Sequence, residues 1–537
     1  MKEIAQKLKS YNKLNPSAVG LAVLIVYALL LIIVSIMHEP WYDEAQAWQI
    51  AREASYHDIL FFLPHYESHP PLWHLVLSVP AKLGLPYEIS IKTINIIFAL
   101  LAVALIEFRS NFNNWTKTFL PFTFYVFYLF GVNSRPYSMM LLAILLCALF
   151  FDEKDSKPVR FLLSLAFLCL TSDYGIAIAG GITLAWIIDI FIAKKSGAVK
   201  DIIFGNIPRL IGFIGLALLA GLIAMEVWPA SDTTVMMDTP VWYKFYMIIL
   251  VAPAEAFVTD CLSSMEYGAA VNGVLGVILT SVVSVILWTI GIVAAKRRKA
   301  LHHFLLPVLM FALIGAFYSA PHHYGIYVML FIYEFWILRR MEVKEDISGA
   351  KNVALNKIYK IVPLTVMAIA CIMSLYWTLT ASLNEAVYPF YYSRDLASWL
   401  TQNTTEDDVV MACWHAVYEK DENGNADKDK LAGVNFKSVA EIDVPTKPYF
   451  DYMIIDNELY PYQWLGKLPD DVRDSYIARV QAMGSPDYII TYNTEYMPGF
   501  LAAIGSEDDY DLAMVFFNRR IFKDDTYPYN IMVFRKK

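Results

Sequence analysis

From Val19 to Met37 the chain carries no charged side chain. An α-helix that crosses the ~30 Å hydrocarbon core of a bilayer needs roughly 20 mostly apolar residues, and this stretch qualifies. Similar stretches recur near 89–107, 117–133, 137–151, 159–172, 174–193, 209–227, 270–295, 303–320, 323–338 and 360–379, making about eleven with the first. In lipid every backbone N–H and C=O must find its partner within the protein, so apolar segments of this length are expected to be helices. The composition agrees: 57% hydrophobic and 18% charged, where a soluble domain sits nearer half and a quarter. His38-Glu39-Pro40-Trp41 offers no small-residue cleavage site, so the first stretch reads as an uncleaved span. A net charge of −8 argues against nucleic acid as a partner. The five cysteines lack CxxC spacing, which excludes a disulfide framework or a structural zinc site as the organising element.

Lysine and arginine placement orients the spans. The N-terminus, Lys194–Arg209, Lys296-Arg297-Arg298-Lys299 and Arg339–Lys360 are basic and fall on one side, expected to be cytoplasmic. The alternate loops 38–87 and 228–268 are poor in basic residues and rich in acids. Residues 1–380 are therefore expected to form a polytopic α-helical membrane unit. Residues 381–537 turn acidic and tyrosine-rich, and an odd span count places them outside. Tyr392–Leu400 has helical spacing, while Val409–Ala412, Tyr488–Thr491, Met514–Phe517 and Asn530–Phe534 read as strands, with Asn423-Gly424-Asn425 as a loop. A small extracytoplasmic α/β domain is the expectation.

The loop after the first span carries the most chemistry. It opens His38-Glu39-Pro40-Trp41-Tyr42-Asp43-Glu44-Ala45, and Ala45, Trp48, Ile50 and Ala51 form an approximate apolar stripe. An amphipathic helix lying on the bilayer surface is predicted, with Asp43 and Glu44 at its N-terminal end, where the helix dipole favours carboxylates. Near the end of the loop stands His69-Pro70-Pro71-Leu72-Trp73-His74, where the prolines suit the start of a second interfacial helix. Loop 228–268, with Trp228-Pro229, Asp232, Asp238, Trp242-Tyr243-Lys244 and Pro253-Ala254-Glu255, suits either a lid over a sugar or an aromatic interfacial belt.

An Asp-Glu pair after the first span, followed by a His-Pro-Pro-Leu helix in the same loop, resembles the GT-C glycosyltransferases that use polyprenyl-phosphate sugars. The resemblance is to the group containing protein O-mannosyltransferases and lipid A aminoarabinose transferases, and is strongest over 38–84 and 130–145. It implies that Asp43 is the catalytic carboxylate, with Glu44 the adjacent acid. The role is chemically sound on its own terms, since an acceptor hydroxyl must lose a proton as it attacks the anomeric carbon. The leaving lipid phosphate needs a cation, and Arg135 in Asn133-Ser134-Arg135-Pro136-Tyr137-Ser138 is the candidate. The family commonly shows a similar Arg-Pro-Tyr there, which brings in Tyr137. Two departures stand out. Thr171-Ser172-Asp173-Tyr174 replaces a frequent His-Tyr, and Pro321-His322-His323-Tyr324 replaces a frequent Arg-Tyr. His322 and His323, standing where relatives carry an arginine, are candidates for the donor phosphate or a metal, and His69, Trp73, Asp173 and Tyr324 are candidates for substrate binding.

The resulting expectation is an integral membrane glycosyltransferase that moves a sugar from a polyprenyl-phosphate donor to an extracytoplasmic glycan, lipid or protein acceptor. A single displacement with Asp43 as base would invert the anomeric configuration. The sequence identifies no cofactor, and a divalent cation is compatible if Asp43, Glu44, His65, His69 and His323 converge. Two other readings stay open: a transporter or flippase of lipid-linked molecules, with charges near the midplane, and a non-catalytic membrane scaffold.

Overall fold

A computed structural model describes residues 10–67, 69–194, 197–230, 241–260, 273–343, 353–420, 426–435, 437–450 and 470–537. The expected loop at 423–425, the residues Asp232 and Asp238, and Cys261 lie outside them. The chain is an integral membrane protein, an α-helical bundle followed by a small C-terminal α/β region.

Its principal helices are α1 (Pro16–Met37), α2 (Tyr42–Glu53), α3 (Leu72–Lys82), α4 (Tyr87–Arg109), α5 (Tyr137–Phe150), α6 (Pro158–Cys169) and α7 (Asp173–Lys194). They continue with α8 (Ile207–Glu226), α9 (Gly273–Lys296), α10 (Leu301–Gly315), α11 (Gly325–Arg340) and α12 (Val353–Val387). Among the described residues six helices are long and apolar enough to cross a membrane by length and composition: α1, α4, α7, α8, and the stretches Leu275–Lys296 and Ile361–Val387. Helices α6 and α10 are apolar but shorter.

The expected span 117–133 is the clearest departure. It breaks into a short helix Asn114–Phe119, a tight turn Leu120–Phe122, and a wide-wound segment Tyr125–Val132 in which every residue is buried. Pro121 supplies no backbone N–H, which removes one helical hydrogen bond at the break. At the far end Asn95 of α4 donates its side-chain amide towards the carbonyls of Phe130, Gly131 and Asn133, at 3.1, 2.7 and 3.1 Å. That satisfies carbonyls which a helix end leaves open, and fixes the chain just before Arg135.

The helices join two distinct ends. At one end α1 finishes at His38, which bonds Glu385 near the end of α12, and Tyr174 of α7 donates to the carbonyl of Tyr318, between α10 and α11. At the other, Asp189 of α7 meets His302 and His303 of α10, and Arg340 of α11 meets Asp152 beyond α5. Close packing between α7 and α10 depends on Gly181, where a Cβ would stand 2.6 Å from the Pro307 Cα.

Helix α12 runs on to Val387, so the composition change expected at 381 falls within its last turns. Beyond it come α13 (Ser393–Asn403), β1 (Val410–Ala412), β2 (His415–Lys420), β3 (Ala426–Asn435), α14 (Lys437–Thr446), β4 (Tyr488–Thr491), β5 (Tyr510–Phe522) and β6 (Asp525–Lys536). One sheet has the order β1-β4-β6-β5, with β1 parallel to β4 and the other pairs antiparallel; β2 and β3 form a separate hairpin. The expected strands are all present, β5 and β6 being longer than their apolar cores suggest.

The β5–β6 turn reaches into the bundle. Lys523, at φ 58°, sits there fully buried, its ammonium 3.0 Å from Glu255 and 2.7 Å from the carbonyl of Thr259. Its neighbour Phe522 packs edge-on against Phe124 of the broken segment. Glu255, in a loop that the sequence left open between a lid and an interfacial belt, is thus an anchor for the C-terminal region. The described residues 252–256 around it are buried in the bundle rather than hinged over a site.

Candidate functional site

The end of the bundle marked by His38 holds a cavity of about 220 Å³. Its lining comes from α2 and the turn before it (Trp41, Asp43, Gln46, Ala47), from Tyr66, Glu67 and His69, and from Trp73 and His74 of α3. Arg135, Pro136, Asp173, Tyr174, Tyr318, His322 and His323 complete it. Five separate segments of the chain therefore contribute side chains to one hollow.

Helix α2 presents Asp43, Gln46 and Ala47 to the cavity because residues three and four apart share a helix face. The helix does not lie free on a bilayer surface, as its amphipathic stripe suggested. Its residues from Glu44 to Ala51 are all buried, between α3 and α14. The side-chain amide of Gln49 donates to the carbonyl of Val444, and Val444 packs with Trp48 and Trp73. The C-terminal region thus covers the face that sequence assigned to solvent.

Asp43 and Arg135 meet directly: Arg135 Nη2 lies 2.9 Å from Asp43 Oδ2. The guanidinium also stands over the rings of Trp41 and Tyr137, 5.4 and 5.2 Å from their centroids. Aromatic faces attract cations, so the arginine is held by three groups at once. Tyr137 serves as this platform and is not itself part of the cavity lining. The aromatic wall continues through His322, edge-on to Trp41, and His323, whose ring centroid is 4.0 Å from that of His322.

His323 Nδ1 accepts from the backbone N–H of Ala320 at 2.8 Å. An amide N–H can only donate, so the ring proton of neutral His323 belongs on Nε2. Burial of His69 pushes its pKa down to about 3, with Arg135 and His74 adding repulsion, and burial of His74 pushes it down to about 4. Burial likewise drives His322 well below the usual imidazole range, helped by Arg135. These three imidazoles are neutral at pH 7, which leaves Arg135 as the positive charge of the lining. The second carboxylate to reach the cavity from a helix start, Asp173, stands 4.0 Å from His69.

Glu44 is placed differently from the expectation. It is fully buried and absent from the lining; its Oε2 accepts from the Trp41 N–H at 3.1 Å and faces His38 Nε2 at 3.0 Å. Its Oε1 accepts from the backbone N–H of Ser134, the residue before Arg135. On the other side His38 Nδ1 lies 2.8 Å from Glu385 Oε1, which also accepts from the Tyr128 hydroxyl at 2.6 Å. Burial opposes charge on His38, but the carboxylates of Glu385 and Glu44 outweigh it and push its pKa up to about 10. Burial likewise opposes charge on Glu44, and His38 wins there too, holding Glu44 below the usual carboxylate range. The acid next to Asp43 thus joins a buried ion triad that ties α1, α12 and the Arg135 loop together. Tyr324 also misses the lining and is buried in the bundle core.

The donors expected to converge on a cation do not form one group. Glu44 is turned into the triad, and His65 Nδ1 bonds the carbonyl of Trp228 at 2.8 Å, outside the lining. Among the described residues the group whose donor atoms are close enough to share an ion is Asp189, His302 and His303, at the opposite end. There Lys154 Nζ already stands 3.3 Å from Asp189 Oδ2. Gln46, Tyr66, Glu67 and Tyr318 belong to the lining but were not selected from sequence. Gln46 alone carried a signal, its three-residue spacing from Asp43.

No protein-family model matches the sequence, and comparison with curated proteins finds no match. Among solved structures the chain is similar to ArnT from Cupriavidus metallidurans bound to undecaprenyl phosphate. Identity is 13% and the TM-score 0.44, over 96% of this chain and 97% of that one. It is also similar to the arabinofuranosyltransferase AftD from Mycobacteria, at 12% identity and a TM-score of 0.36, over 95% of this chain and 41% of that one.

Proposed function

We propose that the protein is a membrane glycosyltransferase that takes a sugar from a polyprenyl-phosphate donor and passes it to an acceptor on the extracytoplasmic side. The observation that carries the reading is the Asp43–Arg135 pair at the wall of an aromatic-lined cavity, at one end of a membrane bundle. A carboxylate can take a hydroxyl proton, a guanidinium can meet a phosphate, and aromatic faces suit a sugar. A lipid donor keeps its tail in the bilayer and offers its phosphate at the surface.

In this reading the acceptor hydroxyl gives its proton to Asp43 as its oxygen bonds the anomeric carbon. The bond from that carbon to the phosphate oxygen breaks, and the electron pair leaves with the polyprenyl phosphate. The negative charge developing there is met by Arg135, whose planar fork matches two phosphate oxygens. Attack and departure on opposite faces invert the anomeric centre. His323, with its proton on Nε2, can donate a further hydrogen bond to the phosphate, and neutral His322 and His69 line the same hollow. Trp73 and Asp173 are assigned to the sugar or acceptor, since aromatic faces and carboxylates suit a polyol. No cofactor is assigned, because the cationic role is filled by Arg135. A transporter would instead place its charged groups along a path through the bundle.

The test is incubation of the protein, reconstituted in vesicles, with a panel of labelled polyprenyl-phosphate sugars and total envelope acceptors. Label is expected to move to an acceptor from one donor of the panel, and consumption of none of them would favour a scaffold. The side follows from a protease-sensitive tag placed after Lys537. It is expected to be cleaved from outside in intact cells, whereas protection until the membrane is permeabilised would reverse the orientation.

A further inference from the structure

We infer that Asp43 and Arg135 lock one another in the donor-free protein, and that the donor phosphate opens the lock by taking Arg135 for itself. The inference rests on the reading that Arg135 binds the donor phosphate. It adds an order of events: the base becomes available only when the leaving group is seated.

The geometry carries the argument. Asp43 Oδ2 occupies Arg135 Nη2 at 2.9 Å, so one edge of the guanidinium fork that a phosphate would use is already filled by a carboxylate. The Arg135 side chain is 12% exposed and that of Asp43 25%, so the pair is partly solvated and its partners can exchange. Trp41 and Tyr137 hold the guanidinium through their rings, an attachment that does not depend on which anion it meets. Arg135 can therefore exchange anionic partners without leaving its seat. The neighbouring imidazoles His69 and His322 are neutral and cannot replace it as a cation for Asp43. The donor phosphate is a diester whose single charge is shared over two unesterified oxygens, which suit the guanidinium fork better than the one Asp43 oxygen, and the displaced Asp43 stays beside the site to accept the hydroxyl proton. Without donor, the carboxylate oxygen that would meet an acceptor hydroxyl is held on Arg135.

The lock makes a prediction that a simple binding role does not. Removing the Asp43 charge removes a competitor for Arg135, so a variant that cannot transfer sugar should hold the phosphate more tightly. The probe is a short-chain polyprenyl methyl phosphodiester, which carries the donor's single charge, titrated calorimetrically into the full-length protein in detergent, for wild type, Asp43→Asn, Asp43→Ser, Arg135→Ala and the double variant. Asp43→Asn and Asp43→Ser are expected to bind about fivefold tighter, the scale of a partly exposed ion pair. Arg135→Ala is expected to bind about tenfold weaker, the scale of one charge-assisted hydrogen bond. In the double variant Asp43→Asn should add almost nothing, because its effect runs through Arg135. Equal tightening on both backgrounds would show general charge repulsion and overturn the lock. Unchanged or weaker binding by both Asp43 variants, with Arg135→Ala still impaired, would overturn the lock and leave the phosphate role of Arg135 standing. Wild-type affinity in Arg135→Ala would overturn that role and the lock with it.

Discussion

Asp43→Asn is expected to reduce turnover at saturating donor by ~10²–10⁴, the usual cost of losing a general base. Asparagine keeps the size of the side chain and one of its acceptor oxygens, but it cannot take the acceptor's proton. The protein should remain folded. Asp43 is a quarter exposed, and its ion pair with Arg135 is of the partly solvated kind that contributes about 0–1 kcal/mol. Thermal stability and elution profile should therefore match wild type while turnover collapses, and the donor KM should fall. A stable Asp43→Asn enzyme that retains more than about a tenth of wild-type turnover lies outside the general-base range and would remove Asp43 from the mechanism. Glu44→Gln is expected to behave in the opposite sense, weakening the fold more than the chemistry, because Glu44 faces His38 and two backbone N–H groups rather than the cavity.

That contrast between adjacent acids marks where sequence reading reaches its limit. Both carboxylates were visible as a pair after the first span, and so was Arg135 ahead of a proline and a tyrosine. Local pattern could place them at a common interface because each follows or precedes an apolar segment of spanning length. It could not separate their roles. What turns Glu44 inward is His38 on one side and, through it, Glu385, which lies 347 residues from His38 in the chain. A partner that distant leaves no periodic trace.

The same reason explains the burial of α2. Its polar face reads as solvent-exposed until α14 arrives and Gln49 finds the carbonyl of Val444. Glu255 fitted either a lid or an interfacial belt until the β5–β6 turn brought Lys523 to it. The long, uniformly apolar helices α1, α4 and α7 were legible because lipid imposes a length and a composition on each one separately. The segment around Pro121 was not, since its shortened helical pieces are stabilised by Asn95 on a neighbouring helix.

The buried triad yields the largest expected loss of stability. His38 has no exposed side-chain surface, and neither does Glu44, so replacing His38 by Ala leaves Glu44 and Glu385 facing one another without a cation. Breaking a buried ion pair by deleting one partner typically costs ~3–5 kcal/mol, because it strands an uncompensated charge. His38→Ala should therefore lower the melting temperature in detergent far more than Asp43→Asn does. A second change, Glu385→Gln, should recover part of the loss by removing one of the two stranded charges. The sign of the pH dependence follows from the raised pKa. His38 contributes fully below the unfolded imidazole value of ~6.5, and its contribution is lost as pH rises through about 10. The stability gap between wild type and His38→Ala should accordingly be wide at pH 7 and narrow above pH 10, measured as paired melting curves across that range. A gap that stays constant with pH would show that His38 is neutral between its two carboxylates. The activity of any folded His38→Ala should fall as well, because Glu44 is the acceptor for the Ser134 N–H and so sets the backbone from which Arg135 reaches Asp43. Restoring donor affinity in the His38→Ala/Glu385→Gln pair would trace that loss to the position of Arg135 rather than to the chemistry itself.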